Sequence, residues 1–163
     1  MRALQRFNEF LVTVGSWGTI LFMVVIALVI PYEVIGRYVF QKMSMWSGEV
    51  STYSLVWASM LGGAVGLKKG YMIRMTTVLE SVPEKVVKFL KFLSYICALI
   101  FFGAMFGYGL FQTLYNAKQT SPAIGLVMSY PYAALPTGFF IMFFLTMEEL
   151  LTFLGMGKKG SVQ

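Results

Sequence analysis

The chain has 163 residues, 58% of them hydrophobic and 12% charged, and a net charge of +6. A soluble domain carries about twice that charged fraction, so the composition argues for a small integral membrane protein of one domain, residues 1–163, and against a soluble one. The positive residues sit at the ends of apolar runs, which is a mark of membrane topology and speaks against nucleic acid as a partner.

His and Asp are both missing from the sequence. Their lack removes haem ligation by His, His-based zinc sites and Ser-His-Asp catalysis, so neither a cofactor nor an enzymatic activity is expected. Cys97 is the single cysteine and lies within an apolar run, where a packing role is expected.

The first apolar run follows Arg2 and Arg6 and extends from Phe10 to Ile30. It is longer than the core of a signal peptide, and no small-x-small cleavage site follows, so a first transmembrane helix over residues 10–38 is predicted. Pro31 can kink it. The connection that follows holds Glu33 and Arg37 in the favourable order for a helical ion pair, with Tyr32, Tyr38 and Trp46 suited to a membrane interface. Glu49 falls near the start of the second helix, where the helix dipole favours negative charge. Either Glu33, Arg37 and Glu49 form a cluster that locks the first two helices or touches a partner, or this is a solvated loop anchored by aromatics.

The second helix is predicted over residues 48–67. Its apolar run of about 18 residues spans about 27 Å, close to the thickness of the hydrocarbon core. Ser54, Ala58, Gly62 and Gly66 recur every four residues and stack on one face. Small residues let another backbone approach closely in lipid. That backbone is either a neighbouring helix of this chain or a helix of another protein.

Beyond Lys68 and Lys69, residues Met75, Val78, Leu79 and Val82 follow the spacing of an amphipathic helix, placed at 73–82 in the interface plane, with an ordinary loop as the alternative. A third spanning helix is predicted over 86–115, with Lys88 and Lys91 snorkelling toward headgroups. Gly103 and Gly107 form a GxxxG that can meet the small face of the second helix. Residues 116–135 are too rich in Pro and Gly for a helix and are expected as an extended connection lying on protein or at the interface. A fourth helix is predicted over 134–154, with Glu148 and Glu149 in its last turns, where the dipole disfavours them. The predicted fold is thus all-α, with four transmembrane helices plus a short cytoplasmic interfacial one.

Ten Lys and Arg fall on the side of both termini and three (Arg37, Lys42 and Lys118) on the other, which predicts that both termini are cytoplasmic. No span has an ionisable residue near its middle, although a chain that moves ions or protons alone usually carries one there. Residues alone therefore describe a four-helix membrane subunit that works with a partner.

The chain resembles the small membrane subunit of tripartite ATP-independent periplasmic (TRAP) transporters. The resemblance is carried by Glu33-x-x-x-Arg37-Tyr38-x-Phe40, Trp46-x-x-Glu49, Gly62-Gly63-Ala64, Gln119-x-Ser121-Pro122, Tyr132 and Pro136-x-Gly138. Each motif is short; together, in order, they cover essentially the whole chain. The resemblance implies a complex with a large membrane subunit, which holds the substrate and sodium sites, and a periplasmic binding protein that delivers a small organic anion. It implies a sodium-driven importer in the bacterial inner membrane, with this chain enlarging the fixed scaffold. Glu33, Arg37, Trp46, Glu49, Ser54, Ala58, Gly62 and Gly66 are then candidates for subunit contact or docking. The competing class is a self-contained four-helix exporter working as a homodimer, which needs a carboxylate within the membrane. A haem-binding anchor is a third, disfavoured by the lack of His.

Overall fold

The computed structural model describes residues 2–41, 44–68 and 84–155. In chain order these form α1 (Arg2–Tyr38), α2 (Met45–Lys68), α3 (Glu84–Tyr115), a 3-10 turn (Asn116–Lys118), α4 (Ser129–Tyr132) and α5 (Ala134–Phe153). Among the described residues, four spans are long and apolar enough to cross a membrane; α4 and α5 together make the last of them. The chain is an all-α, multi-pass membrane protein. The interfacial helix expected at 73–82 lies outside the described residues.

α1 has 37 residues, about 55 Å at the α-helical rise, against a hydrocarbon core of about 30 Å. It starts two turns before the expected position because Arg2 to Glu9 contains no helix breaker. Pro31 lies inside it, and the helix runs on to Tyr38. The ring removes one backbone donor, and a helix in lipid tolerates that loss when neighbouring groups take up the freed carbonyl. Gln41 adopts a left-handed backbone, φ 51°, as the chain turns toward α2.

The helices pack in the order α1, α2, α5, α3, with α1 also touching α5 along a smaller seam. The buried centre is therefore the contact of α2 with α5, where Leu61 and Ala64 meet Phe139, Ile141, Met142 and Leu145. α1 and α3 leave most of their apolar surface outside this core. That costs little in a bilayer, because lipid tails are as apolar as the side chains they cover.

Glycine sets the closest approach. A methyl at Gly138 of α5 would lie 2.8 Å from Met60 Cβ and 3.3 Å from the Met60 carbonyl oxygen of α2. A methyl at Gly109 of α3 would lie 3.0 Å from the backbone nitrogen of Pro136. The expected meeting of the Gly103–Gly107 pair with α2 is not what the chain does. α3 packs on α5 instead; Gly103 looks toward Phe143, at 3.7 Å from its hypothetical methyl, and Gly107 has open space beside it. Phe143 of α5 thus approaches Gly103 but leaves the surface at Gly107 open among the described residues.

Candidate functional site

The end of the molecule formed by the α1–α2 connection and residues 116–132 carries Glu33, Arg37, Trp46 and Glu49, half of the predicted residues. Glu33 and Arg37 pair at 2.9 Å on the surface of α1, and the Tyr32 ring lies against Trp46 with centroids 5.7 Å apart. Glu49 goes elsewhere. Its carboxylate accepts a hydrogen bond from the Ser121 hydroxyl and another from the Ala123 N–H at 3.2 Å. The structure thus joins Glu33 to Arg37, but it spends Glu49 on a loop 72 residues away in sequence.

That loop is an ordered hairpin rather than a plain extended connection. Thr120 and Val127 form an antiparallel bridge. The Ser121 N–H donates to the Leu126 carbonyl at 2.8 Å and the Met128 N–H to the Gln119 carbonyl at 2.9 Å. Gly125 supplies the positive φ of 72° that the tight turn requires. Below the hairpin, the Trp57 indole N–H donates to the Tyr130 carbonyl at 3.2 Å, and the Ser129 hydroxyl to the Thr113 carbonyl at 2.7 Å. Trp57 also stacks on Phe22 of α1, centroids 5.6 Å apart. Beside this stack an open apolar pocket of about 270 Å³ is lined by Phe22, Tyr53, Ser54, Trp57, Ile124 and Tyr130 among others.

The small-residue face of α2 serves two ends. Ser54 and Ala58 are buried. Gly62 admits α1, since a methyl there would meet Thr19 Cγ2 at 3.4 Å, and Gly18 of α1 answers it by admitting Leu61. Gly66, one turn further on, has no described residue within 4 Å of its hypothetical methyl. Among the described residues the face is filled as far as Gly62 and nothing closes on Gly66.

Sequence reasoning missed a polar knot at the opposite end. Glu148 Oε2 accepts from Lys68 Nζ at 2.6 Å and from Asn8 Nδ2 at 2.6 Å, which also donates to the Phe144 carbonyl at 3.2 Å. One carboxylate therefore ties α1, α2 and α5 together. Asn8 is wholly buried, and its Oδ1 has no hydrogen-bond partner among the described residues. The signal was an acid and a base of opposite sign at matching ends of two apolar spans. It was overlooked because Glu148 reads alone as a charge on the wrong end of a helix dipole.

What this arrangement can do is hold helices. Among the described residues there is no group of His, Cys, Asp or Glu able to hold a metal ion. Two hydroxyls at mid-span turn back on their own helices, Thr19 to the Gly15 carbonyl at 2.8 Å and Ser59 to the Val56 carbonyl at 2.9 Å.

Comparison with known proteins adds three relatives and a family. Residues 26–155 match the profile described as tripartite ATP-independent periplasmic transporters, DctQ component. The chain is similar to the sialic acid TRAP transporter small permease protein SiaQ of Vibrio cholerae serotype O1, 24% identical over 132 residues, which cover 81% of this chain and 76% of the relative. It is also similar to the isethionate TRAP transporter permease protein DctMQ of Oleidesulfovibrio alaskensis, 27% identical over 78% of this chain and 21% of the relative. A third relative is the sialic acid TRAP transporter permease protein SiaT of Haemophilus influenzae, 26% identical over 88% of this chain and 22% of the relative. The chain thus spans about a fifth of the length of the last two.

Proposed function

The chain belongs to the DctQ-component family of tripartite ATP-independent periplasmic transporters, and from that premise we propose that it is the small scaffold subunit of a sodium-driven importer of a small organic anion. In this reading a large membrane subunit carries the substrate and the sodium ions, and a periplasmic binding protein delivers the anion. The chain sits in the bacterial inner membrane with both termini in the cytoplasm, as its ten-to-three division of Lys and Arg supports.

The observation that carries the scaffold role is where the charge lies. Residues 10–32, 50–67, 92–115 and 129–147 contain no Asp, Glu, Lys or Arg, and two ties between elements made by charged groups, Glu49 to the hairpin and Glu148 to Lys68 and Asn8, lie at the ends of the spans. Transport sites and coupling ions need polar groups at membrane depth. A body with an apolar interior and fastened ends is suited to standing still while a partner moves. The two longer relatives, in which a similar segment makes up about a fifth of the protein, support a division of labour with a larger membrane part. On the outer side, Glu33, Arg37, Trp46 and the hairpin held by Glu49 present the docking surface for the binding protein. Ser54, Ala58 and Gly62 keep the scaffold tight, and the open turn at Gly66 is left for the partner.

The test is uptake in proteoliposomes. With the large subunit, the binding protein and an inward sodium gradient, uptake of a carboxylate or sulfonate substrate is expected, and collapsing the gradient abolishes it. Equal uptake by this chain alone would overturn the scaffold role.

A further inference from the structure

α3 is longer than the body it leans on. Its Tyr95 ring lies against Phe153, the last residue of α5, with centroids 5.9 Å apart. The helix begins at Glu84, so about 16 Å of it runs past the end of α5. Lys85, Lys88 and Lys91 are exposed on this projecting part, and so are Phe89, Phe92 and Leu93. Among the described residues, none of the three lysines takes part in an ion pair.

Such a segment needs two surroundings at once. The phenyl rings need hydrocarbon, and the ammonium groups need anions or water. The lysine stems can lie back along the apolar surface while their heads reach the polar layer. With 32 residues, α3 is about 48 Å long, and the excess over a hydrocarbon core of about 30 Å places this end among the lipid headgroups. Successive lysines are three residues apart, about 4.5 Å along the axis, so neighbouring heads can reach the oxygens of one phosphodiester.

We propose that Lys85, Lys88 and Lys91 form a binding site for an anionic phospholipid, with the phosphate on the lysines and the acyl chains along Phe89, Phe92 and Leu93. Charge complementarity selects this occupant, because three cations that make no ion pair among the described residues, above an exposed apolar flank, match a headgroup that is negative above two hydrocarbon tails. The site needs only that the chain spans a membrane; it stands or falls independently of the transport role.

Native mass spectrometry of the full chain, released from nanodiscs of equal phosphatidylglycerol and phosphatidylethanolamine, tests it. Retained lipid is expected to be enriched in phosphatidylglycerol. The enrichment falls by roughly fivefold per lysine replaced in a K85Q, K88Q, K91Q series. The corresponding arginine variants keep it, which separates a loss of charge from a loss of folding. Excess soluble glycerol phosphate leaves the enrichment in place. Equal retention of both lipids, an enrichment that survives the triple glutamine variant, competition by glycerol phosphate, or an acidic protein found on the lysines in place of lipid would each overturn the proposal.

Discussion

Glu49 and Glu148 stand at opposite ends of the helices, and each gathers donors from distant parts of the chain. Removing a carboxylate that satisfies buried donors costs about 1–3 kcal/mol, since the donors lose their partner and do not regain full hydration. Glu148→Ala is therefore expected to lower the unfolding midpoint in detergent. Glu148→Gln, which keeps an acceptor oxygen, should lower it less, and a double-mutant cycle with Lys68→Met should show coupling. An unchanged midpoint in Glu148→Ala would remove the knot from the account. At the other end, Glu49→Ala is expected to speed amide exchange of Ala123 and its hairpin neighbours while leaving α5 protected; identical exchange would mean that the hairpin holds itself. Neither pairing was legible beforehand. Sequence places an ionisable group at the end of a span, but it does not say which loop or helix arrives there. Glu33 and Arg37 were legible, because their pairing needs only a helix and a spacing of four.

Between elements, glycine decides which contacts are close. Gly138→Ala puts a methyl against the Met60 backbone, which cannot rotate away, and overpacking of this kind costs about 1–3 kcal/mol. Gly107→Ala enters open space and should leave the stability of the isolated chain unchanged. A thermal melt of the two variants distinguishes them, and an equal shift in both would contradict the packing order. The four spans could be read from apolar length alone, and the structure has them. The order of packing could not. In water the burial of an apolar stripe selects a neighbour, but in lipid every apolar face is equally well solvated, so selection rests on shape. Gly103 and Gly107 looked matched to α2 by their spacing, yet the neighbour that fits α3 is α5, through Gly109 and Pro136. The hairpin was half legible. Pro122 and Gly125 announced turns, while the Thr120–Val127 bridge and the contact of Ser121 with Glu49 join residues that spacing alone does not pair.

Across the whole molecule, charged ties at both ends and an apolar middle describe a body fastened rather than a body that opens. We propose a division of labour with a larger membrane subunit, in which a membrane protein with so little polar chemistry serves as the fixed part. It is tested most directly by solubilising this chain from its native membrane in mild detergent, capturing it and weighing what comes with it. A stoichiometric partner, larger and strongly apolar, is the predicted result. Recovery of this chain only with copies of itself would contradict the account and favour a self-contained dimer.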